Sequence, residues 1–317
     1  METNKVVGVK RKDVEFLSKG TKIRGVLALP DGEGPFPVVV MAGGWCYVKE
    51  IVMPHYAERI LEAGIACLWF DYRGFGGSDG AVRQDLNSWA QIEDYKNAIS
   101  FVTRQPELDP NRVGVWGISY SGGHVVVLGA TDPRVKCVVS TVPVVQGYET
   151  MQRCHGVVRF EEVKELVQRD RESRYEGNPS ARIPMSVLNP QEVLAVWPLT
   201  IALKVFEDIK AREAPLHEHW STVESLENLL DYDITPYAKR IINTPTLFCV
   251  AEEDHATHWD LEIAMFNSIP ANNKKLVILE KISHMSLYSS KTQLEVASAE
   301  HAAFLKQHLV DKYRRTS

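Results

Sequence analysis

The sequence predicts an α/β fold, a doubly wound and mostly parallel sheet with a helical insertion. Residues 37–41 and 65–70 are short, almost wholly apolar runs, typical of strands that are buried on both faces. Such runs alternate with segments of helical periodicity, and this strand–helix–strand order favours parallel strands joined by helices. The alternation stops between residues 144 and 242, where charged residues and helix formers dominate. We therefore expect a helical cap inserted into a single sheet domain.

The predicted elements cover most of the chain. Residues 14–17 and 23–29 open it as a hairpin-like pair. Further strands are predicted at residues 37–41, 65–70, 113–116, 135–142, 246–251 and 275–279. Helices are predicted at residues 54–63, 85–105, 160–174, 198–212, 221–230 and 293–309, and one more follows Ser119. The helix at 85–105 is amphipathic, with one apolar face formed by Trp89, Ile92, Tyr95, Ala98 and Ile99. This order assigns residues 1–143 and 243–317 to the core and residues 144–242 to the cap.

Composition and charge limit the class of protein. The 317 residues suffice for one large core with a subdomain, and 44% hydrophobic with 24% charged residues is ordinary for a globular enzyme. A net charge of −5 without a basic stripe argues against nucleic-acid binding. No segment approaches the roughly 18 apolar residues that span a bilayer. The N-terminus lacks the apolar core of a signal peptide. We therefore expect a cytoplasmic protein with no membrane span.

The cysteines suggest neither disulfides nor a metal site. They are five in number and scattered along the chain, without a Cys-X-X-Cys pair: Cys46, Cys67, Cys137, Cys154 and Cys249. His255 and His258 flank Asp254, but two histidines beside one carboxylate are a thin basis for a metal centre. We predict no metal and no cofactor. The role of Cys46, which lies in a glycine-rich loop, stays open.

A strand-to-turn motif indicates the nucleophile. An apolar β-branched run leads into Gly117-Ile-Ser119-Tyr-Ser121, and small residues then open a helical segment. In a nucleophile elbow, the serine lies on a tight strand-to-helix turn with its hydroxyl exposed and a helix N-terminus behind it. Gly117 keeps the turn free of bulk, although the usual pattern has a second glycine where this chain has Ser121. We predict that Ser119 is the nucleophile.

The partners of such a serine are predicted further along the chain. A serine hydroxyl needs an adjacent base that a carboxylate orients. In enzymes with this elbow, the acid and then the histidine follow the serine, each at the end of a strand. The last two predicted strands run into loops that hold several carboxylates and a histidine. We predict Asp254 as the acid and His284 as the base, with Glu253 as the first substitute acid and Asp260 as the second.

Acyl chemistry at a serine also needs an oxyanion hole. Two backbone N–H groups must face the developing negative oxygen, and each is typically worth about 3 kcal/mol. One is predicted at Tyr120, directly after the nucleophile. The other is predicted at Trp45, in a loop whose glycines, Gly43 and Gly44, let the backbone approach a ligand closely. The alternative interpretation of this loop is an ordinary glycine turn that carries a core tryptophan.

Longer strings of sequence resemble a known family. They are residues 41–50 (MAGGWCYVKE), 70–80 (FDYRGFGGSDG), 116–124 (WGISYSGGH), 142–148 (VPVVQGY) and 282–288 (ISHMSLY). These motifs resemble the α/β-hydrolase superfamily, and within it the fungal polyketide acyltransferases and thiohydrolases. Bacterial dienelactone-hydrolase-like proteins share much of the pattern. The resemblance implies the same roles for Ser119, Asp254 and His284. At Gly43 this chain departs from the many relatives that have histidine.

The expected activity is serine-dependent acyl transfer or hydrolysis through an acyl-serine intermediate. The resemblance implies a polyketide acyl thioester as the substrate, in secondary-metabolite biosynthesis, and the acyl carrier domain of a polyketide synthase as a candidate partner. Apolar cap residues such as Trp197, Leu199 and Val205 are expected to cover the acyl chain. The sequence leaves open the length of that chain, the choice of water or an alcohol as acceptor, and the oligomeric state.

Two other functions compete with this one. A general carboxylesterase or hydrolase would use the same residues. A catalytically silent hydrolase fold that serves as a binding protein is the remote alternative, and it predicts a broken set of catalytic residues. A peptidase is disfavoured because the sequence offers no acidic motif to anchor a peptide amine.

Overall fold

An eight-stranded sheet runs through the centre of the computed structural model, which describes residues 9–314. The strands are β1 (Lys10–Ser18), β2 (Thr21–Leu29), β3 (Phe36–Ala42), β4 (Ala66–Phe70), β5 (Leu108–Ile118), β6 (Val135–Thr141), β7 (Arg182–Pro184), β8 (Trp220–Thr222), β9 (Thr246–Ala251) and β10 (Lys274–Leu279). The large sheet has the order β1-β2-β4-β3-β5-β6-β9-β10. Its β1/β2 and β2/β4 pairs are antiparallel and the others are parallel, which confirms the predicted mostly parallel sheet.

Helices flank this sheet. They are α1 (Met53–Glu62), α2 (Ser88–Val102), α3 (Tyr120–Thr131), α4 (Gly147–Tyr175), α5 (Thr200–Arg212), α6 (Val223–Leu230), α7 (Thr235–Ala238), α8 (Trp259–Ser268), α9 (Ser286–Ser289), α10 (Lys291–Lys306) and α11 (Lys312–Arg314), with a π-helical turn at Gln307–Asp311. In the layers beside the sheet, α1 packs against α10 and α2 packs against α3. Among the described residues, no helix combines the length and apolarity needed to cross a bilayer.

The burial of the strands follows their positions in the sheet. All five residues of β4 and six of the seven in β3 are buried, as expected for central strands covered on both faces. The edge strand β1 instead begins with three exposed cations, Lys10, Arg11 and Lys12. Charged side chains on an edge strand oppose pairing with another chain.

The second helix is shorter than the predicted 85–105, and one residue of its apolar face is exposed. The helix begins at Ser88, where the side chain of Asn87 accepts a hydrogen bond from the Ala90 amide (3.0 Å). Trp89, predicted on the buried face, is 49% exposed and packs beside Tyr237 with ring centroids 5.8 Å apart. The first turn of α2 therefore points its tryptophan along the surface rather than into the sheet.

The chain leaves the sheet between β6 and β9. This insertion contains α4 to α7 and the small antiparallel pair β7/β8. Its first helix starts earlier than the predicted residue 160 and is interrupted at Gly156, whose φ of 70° and ψ of 164° are not helical. The two ends of the insertion are tied together, because the Gly147 amide donates to Tyr232 (2.7 Å) and the Ile234 amide donates to Val145 (3.1 Å). The insertion is therefore closed at its base.

Candidate active site

The turn between β5 and α3 holds Ser119 in a strained conformation. Its φ of 58° and ψ of −120° lie where residues other than glycine are uncommon. The Ser119 amide donates to the Thr141 carbonyl (2.9 Å), and the Ser119 carbonyl accepts from the Val144 amide (3.1 Å). A Cβ on Gly117 would lie 2.2 Å from the Ser121 carbonyl oxygen, so the tight turn requires glycine there. This is the geometry expected of a nucleophile elbow.

Ser121, which departs from the usual glycine, has a specific place in this turn. Its hydroxyl donates to the carbonyl of Ala42 at the end of β3 (2.6 Å) and accepts from the Ile118 amide (2.9 Å). All three residues are fully buried. Ser121 therefore links the elbow to β3, the strand that precedes the glycine-rich loop.

Asp254 and His284 are in direct contact. Nδ1 of His284 lies 2.6 Å from Oδ2 of Asp254, and both side chains are buried. The other carboxylate oxygen accepts from the amides of Ala256 (2.8 Å) and Thr257 (2.9 Å). Burial pushes the pKa of Asp254 upward, but the charge of His284 and hydrogen bonds from His284 and Thr257 outweigh burial and hold that pKa below its ordinary value. An ionised Asp254 keeps the Nδ1 hydrogen in place and leaves Nε2 free to accept a proton.

The substitute acids lie elsewhere. The side chain of Glu253 is exposed to solvent. Its neighbour Asp254 is buried and contacts His284. Asp260 is exposed on α8 and pairs with Arg153 (2.8 Å). The geometry therefore favours Asp254 over both alternatives.

Tyr288 is a site residue that the sequence interpretation missed. Its hydroxyl lies 3.1 Å from Nε2 of His284, the nitrogen that faces away from Asp254. Burial raises the pKa of the Tyr288 hydroxyl well above its ordinary value, so it stays protonated and can donate to Nε2. The available signal was its spacing, since Tyr288 follows His284 by four residues, about one helical turn.

The two segments predicted to form the oxyanion hole adjoin the serine. Tyr120 is the first residue of α3, where a backbone N–H has no partner within its own helix. A Cβ on Gly44 would lie 2.9 Å from Cβ and 3.3 Å from Oγ of Ser119, so the loop before Trp45 passes directly against the nucleophile. The role of the Trp45 and Tyr120 amides stays a prediction.

A small, mostly apolar cavity lies beside Ser119. It measures about 20 Å³, room for roughly one water molecule. Its lining combines residues of the sheet domain with residues of the insertion: Trp45, Tyr47, Ser119, Ala256, His284, Met285, Met185, Trp197, Leu199, Ala202 and Phe206. Of the residues expected to cover the acyl chain, Trp197 and Leu199 line this cavity, whereas Val205 is buried in the insertion and does not.

Cys46 follows Trp45 but does not line the cavity. Its thiol is buried and donates to the Trp220 carbonyl (3.3 Å). Burial raises the pKa of this thiol well above its ordinary value, and a thiol that stays protonated is a poor nucleophile. The described contacts give Cys46 a structural role, as a link between the glycine-rich loop and the insertion.

Known proteins resemble parts or all of this chain. The quorum-quenching protein AidA of Acinetobacter baumannii is 41% identical over 138 residues, and the thiohydrolase aneE of Aspergillus aculeatus is 42% identical over 135 residues. These matches take in 44% and 42% of this chain and 45% and 42% of the two relatives, so the chain covers less than half of each. The polyketide transferase af380 of Aspergillus fumigatus is 28% identical over 305 residues, 94% of this chain and 99% of the relative.

A solved structure and a family profile also match most of this chain. The α/β hydrolase GrgF from Penicillium has a TM-score of 0.78 at 24% identity, over 95% of this chain and 99% of that one, which shows the α/β-hydrolase fold. The expected resemblance to polyketide transferases and thiohydrolases is confirmed. The profile of the X-Pro dipeptidyl-peptidase (S15) family matches residues 19–286. Because that match covers most of the sequence, the chain belongs to the X-Pro dipeptidyl-peptidase (S15) family.

Proposed function

We propose that this protein transfers or hydrolyses the acyl group of a polyketide thioester through an acyl-serine intermediate. Ser119 is the nucleophile, His284 the base and Asp254 the acid that orients the base. The observation that carries the proposal is the buried 2.6 Å contact between His284 and Asp254, with both Ser119 and His284 lining the same cavity.

Acylation follows from this arrangement. Oγ of Ser119 attacks the thioester carbonyl carbon while Nε2 of His284 takes the hydroxyl proton. For this transfer, Nε2 exchanges its hydrogen bond from Tyr288 for one from Ser119. The carbonyl oxygen becomes an oxyanion, which the amides of Trp45 and Tyr120 stabilise. The carbon–sulfur bond then breaks, and the leaving thiolate takes the proton from Nε2.

Deacylation reverses the roles around the same nitrogen. Water or an alcohol gives its proton to Nε2 and attacks the acyl-serine carbonyl. The bond to Oγ breaks, Ser119 recovers its proton from His284, and the product is a carboxylic acid or an ester. Whether acid or ester forms depends on whether water or an alcohol reaches Nε2 of His284 beside the acyl-serine.

The cavity lining supports an acyl substrate. Most of the lining is aliphatic or aromatic, which suits a hydrocarbon chain. Nε1 of Trp45 is buried and has no hydrogen-bond partner among residues 9–314, so it can donate to a substrate oxygen. A cavity of about 20 Å³ cannot hold such a chain, and we propose that the insertion at residues 144–242 acts as a cap that moves to admit it. An acyl carrier domain is the proposed donor partner, by analogy with the polyketide transferase and thiohydrolase relatives.

The family description raises peptidase activity as a second candidate. Removal of a dipeptide from a free N-terminus calls for a carboxylate that binds the terminal ammonium group. The described lining contains no carboxylate. The lining therefore favours an uncharged acyl group over a peptide.

The test measures thiol release from long-chain acyl thioesters, with acyl products identified by mass spectrometry. The wild-type protein should release thiol, and Ser119→Ala should lose at least about 10³-fold of the rate. Added alcohols should give esters if the protein is a transferase and free acid if it is a thiohydrolase. Rapid cleavage of simple esters with no activity on thioesters would replace this proposal with a general carboxylesterase. Release of dipeptides would replace it with a peptidase.

A further inference from the structure

A second buried carboxyl group lies behind the Asp254–His284 pair. Glu262, on α8, is 0% exposed, and Asp254 is 1% exposed. The hydroxyl of Thr257 stands between them, 2.9 Å from Oδ2 of Asp254 and 2.6 Å from Oε1 of Glu262. The sequence analysis did not single out Glu262, and the fold places it against the site.

These two distances bear on how many protons the two carboxyl groups hold. A threonine hydroxyl has one hydrogen, so it can donate to one carboxyl group and must accept from the other. If both carboxyl groups were ionised, one of the two short contacts would join two acceptors without a hydrogen. One carboxyl group therefore carries a proton.

The surroundings decide which group that is. Asp254 accepts from His284, from two backbone amides and from Thr257, all of which stabilise an ionised carboxylate. Oε2 of Glu262 has no hydrogen-bond partner among residues 9–314.

The titratable groups around Glu262 also favour a proton on this residue. Burial, followed by the negative charge of Asp254, raises the pKa of Glu262 well above its ordinary value, and the contact with Thr257 does not reverse this. The charge of Asp260 acts in the raising direction too. Glu262 is the group that can hold the proton.

We propose that Glu262 is a positioning residue, protonated at neutral pH, which donates to Thr257 and so directs the Thr257 hydroxyl onto Asp254. This inference rests on the proposed role of Asp254 in catalysis. Each oxygen of Asp254 then accepts two hydrogen bonds, which fixes the plane of the carboxylate against Nδ1 of His284. Without the donor at Glu262, the Thr257 hydroxyl is free to rotate away and Asp254 loses one of its four constraints.

The variants that test this role differ in donor capacity at constant size. Glu262→Gln is uncharged and can donate through its amide, whereas Glu262→Met fills similar volume and cannot donate. The readout is the rate at which a small fluorophosphonate labels Ser119, which needs no natural substrate. Glu262→Gln should label within about 2-fold of wild type. Glu262→Met, and Thr257→Val on the other side of the contact, should each label on the order of 10-fold more slowly.

Two results would overturn the inference. Equal slowing in Glu262→Gln and Glu262→Met would show that an ionised Glu262 is required, and wild-type rates in Glu262→Met would show that the contact does not matter. Infrared difference spectra between wild type and Glu262→Gln test the proton directly, because a protonated carboxyl group has a carbonyl band that a carboxylate lacks. Failure of the wild-type protein to label at Ser119 would contradict the proposed function itself, and the infrared result would still decide the protonation of Glu262.

Discussion

The hydroxyl of Tyr288 lies 3.1 Å from Nε2 of His284, the nitrogen that we propose takes the proton from Ser119. In the proposed mechanism, Tyr288 therefore competes with Ser119 for this one acceptor. Tyr288 is also packed edge-on against Tyr47, with ring centroids 5.6 Å apart, so its ring is held while its hydroxyl can exchange partners.

Removal of this hydroxyl should make Ser119 more reactive. In Tyr288→Phe the ring packing is kept and Nε2 loses its competing donor, a hydrogen bond worth about 1 kcal/mol net. We expect fluorophosphonate labelling of Ser119 to be about 5-fold faster, which is about 1 kcal/mol expressed as a ratio of rates. Tyr56→Phe is the matched control, since Tyr56 is equally buried and its hydroxyl lies 3.5 Å from the Leu287 carbonyl rather than on the histidine. Slower labelling in Tyr288→Phe would mean that Tyr288 assists proton transfer.

Replacement of Asp254 by asparagine should remove most of the activity and leave the fold intact. In Asp254→Asn the side chain can donate to Nδ1, which moves the histidine hydrogen to Nε2 and removes the base. We expect kcat to fall by about 10⁴-fold, the size of this effect in other serine hydrolases. Glu253→Gln, the exposed neighbour, should keep wild-type kcat. A large loss in Glu253→Gln with little change in Asp254→Asn would show that Glu253, and not Asp254, is the acid.

Ser121, two residues after the nucleophile in the elbow, should contribute to the stability of the fold. Ser121→Ala leaves the Ala42 carbonyl and the Ile118 amide without their buried hydroxyl partner. We expect the free energy of unfolding, measured by urea titration, to fall by about 2 kcal/mol. The hydroxyl of Ser268 donates to the Met265 carbonyl of its own helix, and Ser268→Ala should change the free energy of unfolding by less than about 0.5 kcal/mol. Equal effects would show that the link to β3 carries no stability.

Buried histidines should make the protein less stable in mild acid. Burial lowers the pKa of His124 and of His301 from 6.5 to about 3 in each case. Between these values the unfolded chain binds protons that the folded chain does not, so their stabilising contribution is complete above pH 6.5 and is lost as pH falls toward 3. Each group should remove about 1.4 kcal/mol of unfolding free energy per pH unit in that window.

Urea titrations at pH 7 and pH 5 check this slope. His301→Gln removes one of the two groups and should give a smaller loss of unfolding free energy between the two pH values. Wild-type stability that rises on acidification, or an unchanged slope in His301→Gln, would contradict the assignment of these histidines as neutral and buried.

Residue order and strand ends were enough to predict the sheet and the three residues proposed for catalysis. The elbow at Ser119 and the strand exits before Asp254 and His284 are local patterns, and parallel strands bring their ends to one edge of the sheet. Contacts that depend on how helices pack could not be predicted in this way. The inward turn of Tyr288 and the burial of Glu262 follow from the placement of α9 and α8, which no periodicity in the sequence specifies.

The error at Trp89 has a related cause. An amphipathic pattern counts apolar side chains on one helical face, but it does not say where the covered surface ends. The first turn of α2 lies beside α7 at the edge of that surface, so its tryptophan stays half-exposed. The small cavity beside Ser119 likewise depends on side chains from distant parts of the insertion.

Peptide mapping of a trapped acyl-enzyme tests the central proposal most directly. The protein is mixed with a long-chain acyl thioester, quenched in acid within the first turnover and digested, and the acylated peptide is sequenced by mass spectrometry. The acyl group should be found on Ser119, and it should be absent in Ser119→Ala. An acyl group on any other residue, or one that persists in Ser119→Ala, would contradict the assignment of Ser119 as the nucleophile.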